Sequence, residues 1–145
     1  NYQVILQCGE RYQENYLNKS TSLIKVIPFI DDMHLAFSCS DLIVSRSGAI
    51  IISELSNLGK PVIFIPSPNV AEDHQTKNAK YLNEIEAAEL VHECEIDYKL
   101  NSIIKKIFAD EKLKEKLSKN LKKISNNNST ELIVDQIENY IVWKN

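Results

Sequence analysis

Short apolar runs bounded by turn-forming residues recur along the chain, at Val4 to Leu6, Ile24 to Ile27, Asp41 to Val44, Pro61 to Ile65 and Ala88 to Val91. Each gives way to residues at helical spacing, so the pattern predicts strands alternating with helices. The run Pro61-Val-Ile-Phe-Ile-Pro66 is unbroken, too short for a helix and bracketed by prolines. It predicts a strand covered on both faces of a parallel sheet. Gly59, just before it, is placed to end the preceding helix in a left-handed conformation. Alternation of this kind implies right-handed crossovers and a doubly wound α/β sheet. From Asp97 onward only helical spacing remains. Leu100, Ile103, Ile104 and Ile107 form one stripe, and Leu113, Leu117, Leu121 and Ile124 another. A last helix runs from Leu132 to Val142, after the polar linker Ser125-Asn-Asn-Asn-Ser129, with Ser129 or Thr130 as its N-cap.

Composition narrows the choice of function. The chain has 145 residues, 43% hydrophobic and 26% charged, with net charge −3. That fits one domain with a substantial core, and it excludes a disordered chain, a disulfide scaffold and a strongly basic nucleic-acid binder. Only three residues are glycine, where average usage would give about ten, so no glycine-rich phosphate loop of the GxGxxG or GxxxxGK[ST] kind can form. Cys8, Cys39 and Cys94 are odd in number and show no CxxC spacing, as in a reduced, cytosolic protein. His34, His74 and His92 add only a lone His92-x-Cys94, too sparse to hold zinc, so neither a metal nor a cofactor is expected. No apolar run approaches the length of about eighteen residues that a membrane span needs. The chain opens at Asn1 directly before a strand, and is expected to be a piece of something longer.

Ligands of open α/β sheets sit outside the carboxyl ends of the strands, which directs attention to three junctions. In Asp41-Leu-Ile-Val-Ser-Arg-Ser-Gly-Ala-Ile50 a strand turns through Ser45 to Gly48 into a helix. The first N–H groups of that helix, at Gly48, Ala49 and Ile50, point outward, where the helix dipole favours an anion such as diphosphate. Arg46 is one of two arginines beside fifteen lysines, and guanidinium suits forked contacts with phosphate. The same turn also fits a plain helix cap. In the helix that follows, at about 100° per residue from Ile51, Glu54 falls near 300°, on the border of the apolar stripe. A half-shielded carboxylate there is about one and a half turns from the diphosphate position and can accept from two adjacent ribose hydroxyls; an ordinary solvated glutamate is the alternative. The third junction, Pro66 to Ala79, is a proline-rich loop with Glu72 or Asp73 near a helix start. It brings Gln75 and Asn78 to one face, amides suited either to sugar hydroxyls or to capping.

In order, these segments resemble the C-terminal nucleotide-sugar domain of the MurG family, the N-acetylglucosaminyltransferases acting on undecaprenyldiphospho-muramoylpentapeptide. The matching residues are Phe29-Ile-Asp-Asp-Met33, Ser40-Asp-Leu-Ile-Val-Ser-Arg-Ser-Gly-Ala49 with Ser53-Glu54, Gly59-Lys-Pro-Val-Ile-Phe-Ile-Pro66, and Asp73-His-Gln-Thr-Lys-Asn-Ala79. The resemblance implies the C-terminal half of a GT-B fold, two Rossmann-like domains with the reaction in the cleft between them and no metal in the chemistry. It implies that the backbone of Ile30 meets uracil, that Ala49 and Ile50 meet diphosphate and sugar, and that Glu54 holds the ribose diol. Arg46 and Gly48 would support the phosphates, while Gln75 and Asn78 would bond the N-acetylglucosamine hydroxyls. The implied reaction is inverting transfer of N-acetylglucosamine from UDP-N-acetylglucosamine to lipid-linked muramoyl-pentapeptide, in bacterial peptidoglycan synthesis. The implied location is the cytoplasmic face of the cell membrane, with peripheral contact through the acceptor domain.

The family's domain normally begins with a strand and a Gly-Gly-Ser-type loop, and the acceptor domain precedes it; neither is in this sequence. The 145 residues are therefore expected to bind the donor weakly and to be inactive alone. Three other readings stand beside this one. The chain could be the donor-binding subunit of a two-chain transferase of the eukaryotic type, paired with a membrane-anchored partner. Nine of the fifteen lysines lie between Lys99 and Lys123 against Asp97, Asp110, Glu111 and Glu115, which reads either as a nucleic-acid or membrane patch or, more simply, as the solvated face of packed helices. Nucleic acid is not the expected partner. Finally, Tyr140, Ile141 and Trp143 of the last helix could drive self-association.

Overall fold

A computed structural model describes residues 2–125 and 129–142. Asn126 to Asn128 of the predicted linker and Trp143 lie outside these, as do the side chains of Ser129, Thr130 and Ile141. The chain divides into two compact units, Asn1–Cys39 and Ser40–Asn145.

In the first unit, β1 (Val4–Gln7) and β2 (Ile24–Ile27) pair in parallel with Val4 opposite Ile24 and Gln7 opposite Ile27. A series of short helical turns joins them, including α1 (Gln13–Tyr16), and α2 (Met33–Cys39) follows. Val26 and Phe37 are buried here, while Val4, Ile5 and Leu6 remain exposed. Asp32 starts α2 by accepting the Leu35 N–H at 2.8 Å, a side-chain cap of the usual kind.

The second unit carries a parallel sheet in the order β3 (Ile43–Ser45), β4 (Val62–Phe64), β5 (Glu89–Leu90). Its crossovers contain α3 (Ala49–Leu58) and α4 (His74–Glu84), and the chain ends in α5 (Asn101–Ala109), α6 (Glu111–Lys123) and α7 (Ser129–Val142). Parallel pairing sets Ile43 opposite Val62 and Ile63 opposite Glu89. All three residues of β4 have no solvent exposure, as its unbroken apolar run predicts. Successive side chains of a strand point to opposite faces, so a fully buried strand needs cover on both. On one face Ile63 and Ile65 join Val91, Ile103, Ile107 and Leu117 in a core cluster. Both predicted helical stripes thus pack inward, and α5 and α6 form a layer of the core. Asp110 separates the two helices, its Oδ1 accepting the Leu113 N–H at 3.0 Å.

Gly59 ends α3 with φ 64° and ψ 41°, donating its N–H to the Leu55 carbonyl at 2.9 Å. Only glycine adopts this left-handed conformation without strain. A Cβ there would also lie 3.1 Å from Cδ of Lys122, on α6. The substitution Gly59→Ala is therefore expected to lower the unfolding free energy by about 1–2 kcal/mol, read as a lower urea midpoint with an unchanged slope.

Candidate functional site

An open groove of about 550 Å³ lies at the carboxyl end of β3, lined by Ser45, Arg46, Gly48, Ala49, Ile50, Ile51 and Gln75. Its floor is the start of α3. Gly48 is the N-cap, in extended backbone with φ −69° and ψ 150°, and no side chain caps the helix. The first-turn N–H groups are thus left to whatever enters the groove. Nothing lies within 4 Å of where a Gly48 Cβ would be, and its φ is one that any residue adopts. Neither backbone strain nor packing demands glycine at this point. What glycine provides is open access to the helix end. Ile50, which is 79% exposed, forms an apolar edge of the groove.

Arg46 straps the sheet from above. Its Nη1 donates to the carbonyls of Ile65 at 3.2 Å and Pro66 at 3.1 Å, just past β4, and to Glu93 Oε2 at 2.9 Å, just past β5. One guanidinium nitrogen therefore bridges the ends of three adjacent strands. Half of the side chain stays solvent-exposed, as does much of Glu93, so the ion pair contributes little to stability, while the carbonyl contacts locate the guanidinium along β4.

Behind the groove, α3 and α4 are latched at their starts. Ser47 is fully buried, donating from Oγ to the Gln75 carbonyl at 2.8 Å, while its own carbonyl accepts from Asn78 Nδ2 at 3.1 Å. Gln75 Oε1 accepts the Ser67 N–H at 2.9 Å. Both amides singled out in the sequence are thus half engaged in structure, and each retains capacity of the opposite sign, N–H on Gln75 and oxygen on Asn78. Gln75 lines the groove, and Asn78 lies three residues further along α4. Just before α4, Glu72 and Asp73 are consecutively left-handed, at φ 55° and 53°. Two such non-glycine residues in a row store strain at the rim.

The structure therefore brings Arg46, Gly48, Ala49, Ile50 and Gln75 to one groove. Glu54 is exposed on α3, where a half-shielded position is predicted. The buried face of α3 is set by Leu55 and Ser56, which rotates Glu54 to the far side. It has no hydrogen-bond or ion-pair partner among the described residues. Ile30 belongs to the first unit, where its N–H is taken by Gln7 Oε1 at 3.0 Å. The partnerships of Ser47, Glu93 and Gln7 carry no signal in the sequence, because each joins residues 23 or more apart.

The 3-10 turn Glu93–Glu95 that presents Glu93 is itself fixed by a reciprocal cap at His92. Glu95 Oε2 accepts the His92 N–H and a Lys99 Nζ–H, both at 3.0 Å. The backbone hydrogen bond first, and then the lysine, hold the Glu95 carboxyl below its ordinary value. Elsewhere in the lysine-rich segment three lysines are ion-paired, Lys106 with Glu89, Lys114 with Glu111 and Lys116 with Glu86. That pairing supports a solvated helix face. Among the described residues, no cluster of three His, Cys, Asp or Glu side chains could hold a metal, and no helix is long and apolar enough to cross a membrane.

Residues 1–137 match the glycosyltransferase family 28 C-terminal domain. The chain is 45% identical over 138 residues to a UDP-N-acetylglucosamine–N-acetylmuramyl-(pentapeptide) pyrophosphoryl-undecaprenol N-acetylglucosamine transferase of Flavobacterium psychrophilum, covering 94% of this chain and 38% of that protein. It is 43% identical over 135 residues to the transferase of the same name from Cytophaga hutchinsonii, covering 93% and 37%. It thus spans less than two-fifths of the length of these relatives. The crystal structure of Acinetobacter baumannii MurG superposes with a TM-score of 0.80 at 28% identity, over 94% of this chain and 41% of that one. A glycotransferase of kitacinnamycin superposes at 0.72 with 19% identity, over 92% and 35%, which supports the Rossmann-like α/β fold.

Two measurements examine the scaffold of the groove. Asn78→Ala removes the donor to the Ser47 carbonyl and is expected to lower stability by about 1–2 kcal/mol in urea unfolding. Glu95→Gln removes a carboxylate whose lowered pKa stabilises the fold above the ordinary carboxyl range. The stability gap between wild type and variant is expected to be full at neutral pH and to close as pH falls through the lowered value.

Proposed function

The chain belongs to the glycosyltransferase family 28 C-terminal domains, and from that premise we propose that it is the donor-binding part of a bacterial transferase that moves N-acetylglucosamine from UDP-N-acetylglucosamine to lipid-linked muramoyl-pentapeptide for peptidoglycan. The observation that carries this reading is the uncapped start of α3 beside Gly48, whose missing side chain answers no internal demand. A helix end with open backbone N–H groups is an anion site, and the diphosphate of a nucleotide sugar is the anion the family handles.

The roles follow from the chemistry each group retains. Ala49 and Ile50 N–H groups face the diphosphate, with the positive end of the α3 dipole behind them. Arg46 keeps its charge at the groove rim while its Nη1 is held by the sheet. When the acceptor hydroxyl attacks the anomeric carbon and the bond to phosphate breaks, negative charge grows on the departing UDP. A preorganised dipole and a fixed guanidinium stabilise that charge without reorganising. Gln75 offers N–H to one sugar hydroxyl, and Asn78 offers oxygen to another. Glu54, exposed and without an internal side-chain partner, accepts from the ribose diol. The general base and the acceptor contacts belong to the acceptor-binding half, which also makes the peripheral contact with the cytoplasmic face of the membrane.

Calorimetric titration with UDP-N-acetylglucosamine checks the assignment. Glu54→Ala is expected to weaken binding about tenfold or more through the lost ribose contact. Gln75→Ala is expected to erode discrimination against UDP-N-acetylgalactosamine. Gly48→Ala fits the backbone with little change in stability, since lost chain entropy and a weaker cap offset each other at about 1 kcal/mol or less, and is expected to weaken binding by crowding the helix end. Unchanged affinity in all three variants would remove the groove from consideration.

A further inference from the structure

Resting on the donor-site reading above, we propose that Glu93 is a positioning residue for the donor diphosphate, acting through Arg46 and touching no substrate itself. Nη1 of Arg46 has two hydrogens and three acceptors within 3.2 Å, of which Glu93 Oε2 is the nearest, at 2.9 Å, and the only charged one. The two carbonyls fix where the guanidinium sits along β4; the carboxylate, arriving from beyond β5, fixes which way the planar fork turns. A guanidinium can present a pair of parallel N–H groups to phosphate only from a defined orientation. Glu93 engages one nitrogen of that fork and so determines the direction of the others.

The support behind Glu93 is built rather than incidental. It opens the 3-10 turn Glu93–Glu95, which is closed at both ends by the His92–Glu95 reciprocal cap, with Lys99 bound to the same Glu95 oxygen. Lys99, Glu95, the His92 backbone, Glu93 and Arg46 thus form a continuous polar chain from the start of the helical layer to the groove. A carboxylate recruited merely for surface charge would need no such anchoring. Glu93 lies 47 residues from Arg46 in sequence, outside every segment that carries the nucleotide-sugar resemblance.

The test compares calorimetric titrations of UDP and UMP into wild type, Glu93→Ala, Glu93→Gln and Gly48→Ala. Glu93→Ala is expected to weaken UDP binding about 3–10-fold, as loss of one orienting charged hydrogen bond implies, while leaving UMP within about twofold. Glu93→Gln keeps an oxygen acceptor for Nη1 and is expected to bind UDP at least as well as wild type. Equal loss for UDP and UMP in Glu93→Ala would mark a general structural role and overturn the proposal. Unchanged or tighter UDP binding in Glu93→Ala would overturn it as well, showing a counter-ion that competes with phosphate. Absence of UDP binding by wild type would overturn the donor reading and the proposal together. Wild-type binding that Gly48→Ala leaves untouched would count against the helix-end site alone, with Glu93 still judged by its own variants.

Discussion

Complete burial of β4 is the constraint from which the second unit follows. A strand with no exposed atom must be paired along both edges and covered on both faces, and β3 and β5 supply the edges. The helical layer of α5 and α6 closes one face through Ile103, Ile107 and Leu117. Because all three strands run parallel, their carboxyl ends lie on one rim, and every loop able to bear a ligand emerges there. The rim is therefore a by-product of covering an apolar strand, and the groove is the part of it that α3 leaves open.

Electrostatically the rim is economical. The chain is net negative and concentrates its lysines on α5 and α6, so the proposed donor site rests its anion recognition on one arginine and the fixed dipole of a ten-residue helix. Such groups are oriented by the backbone before any ligand arrives. Arg46 exemplifies this, since two of its three contacts are to main-chain carbonyls that move only if the sheet moves.

Much of the fold was legible in the sequence because it is written locally. The prolines around Val62 to Phe64 delimit a strand, Gly59 marks a helix end, and the Leu and Ile stripes of α5 and α6 show their inward faces. The groove was legible in part for the same reason: Arg46, Gly48, Ala49, Ile50 and Gln75 flank strand ends. The half-shielded placement expected for Glu54 fails because a helical wheel counts apolar residues, whereas the face of α3 that packs inward is the one bearing Leu55 and Ser56. The latch through Ser47 and the strap to Glu93 were invisible because they join residues 28 or more apart whose types carry no shared pattern.

Lys122 shows how far a residue count can mislead about a surface. Its methylenes rest where a side chain on Gly59 would otherwise project, so the helix that carries six of the chain's seventeen lysines and arginines is also held by hydrocarbon belonging to one of those cations. Charge and packing in α6 are consequently separable properties of a single side chain: neutralising the ammonium leaves the contact with the end of α3 in place, whereas shortening the stem opens a gap at the point where two helices meet.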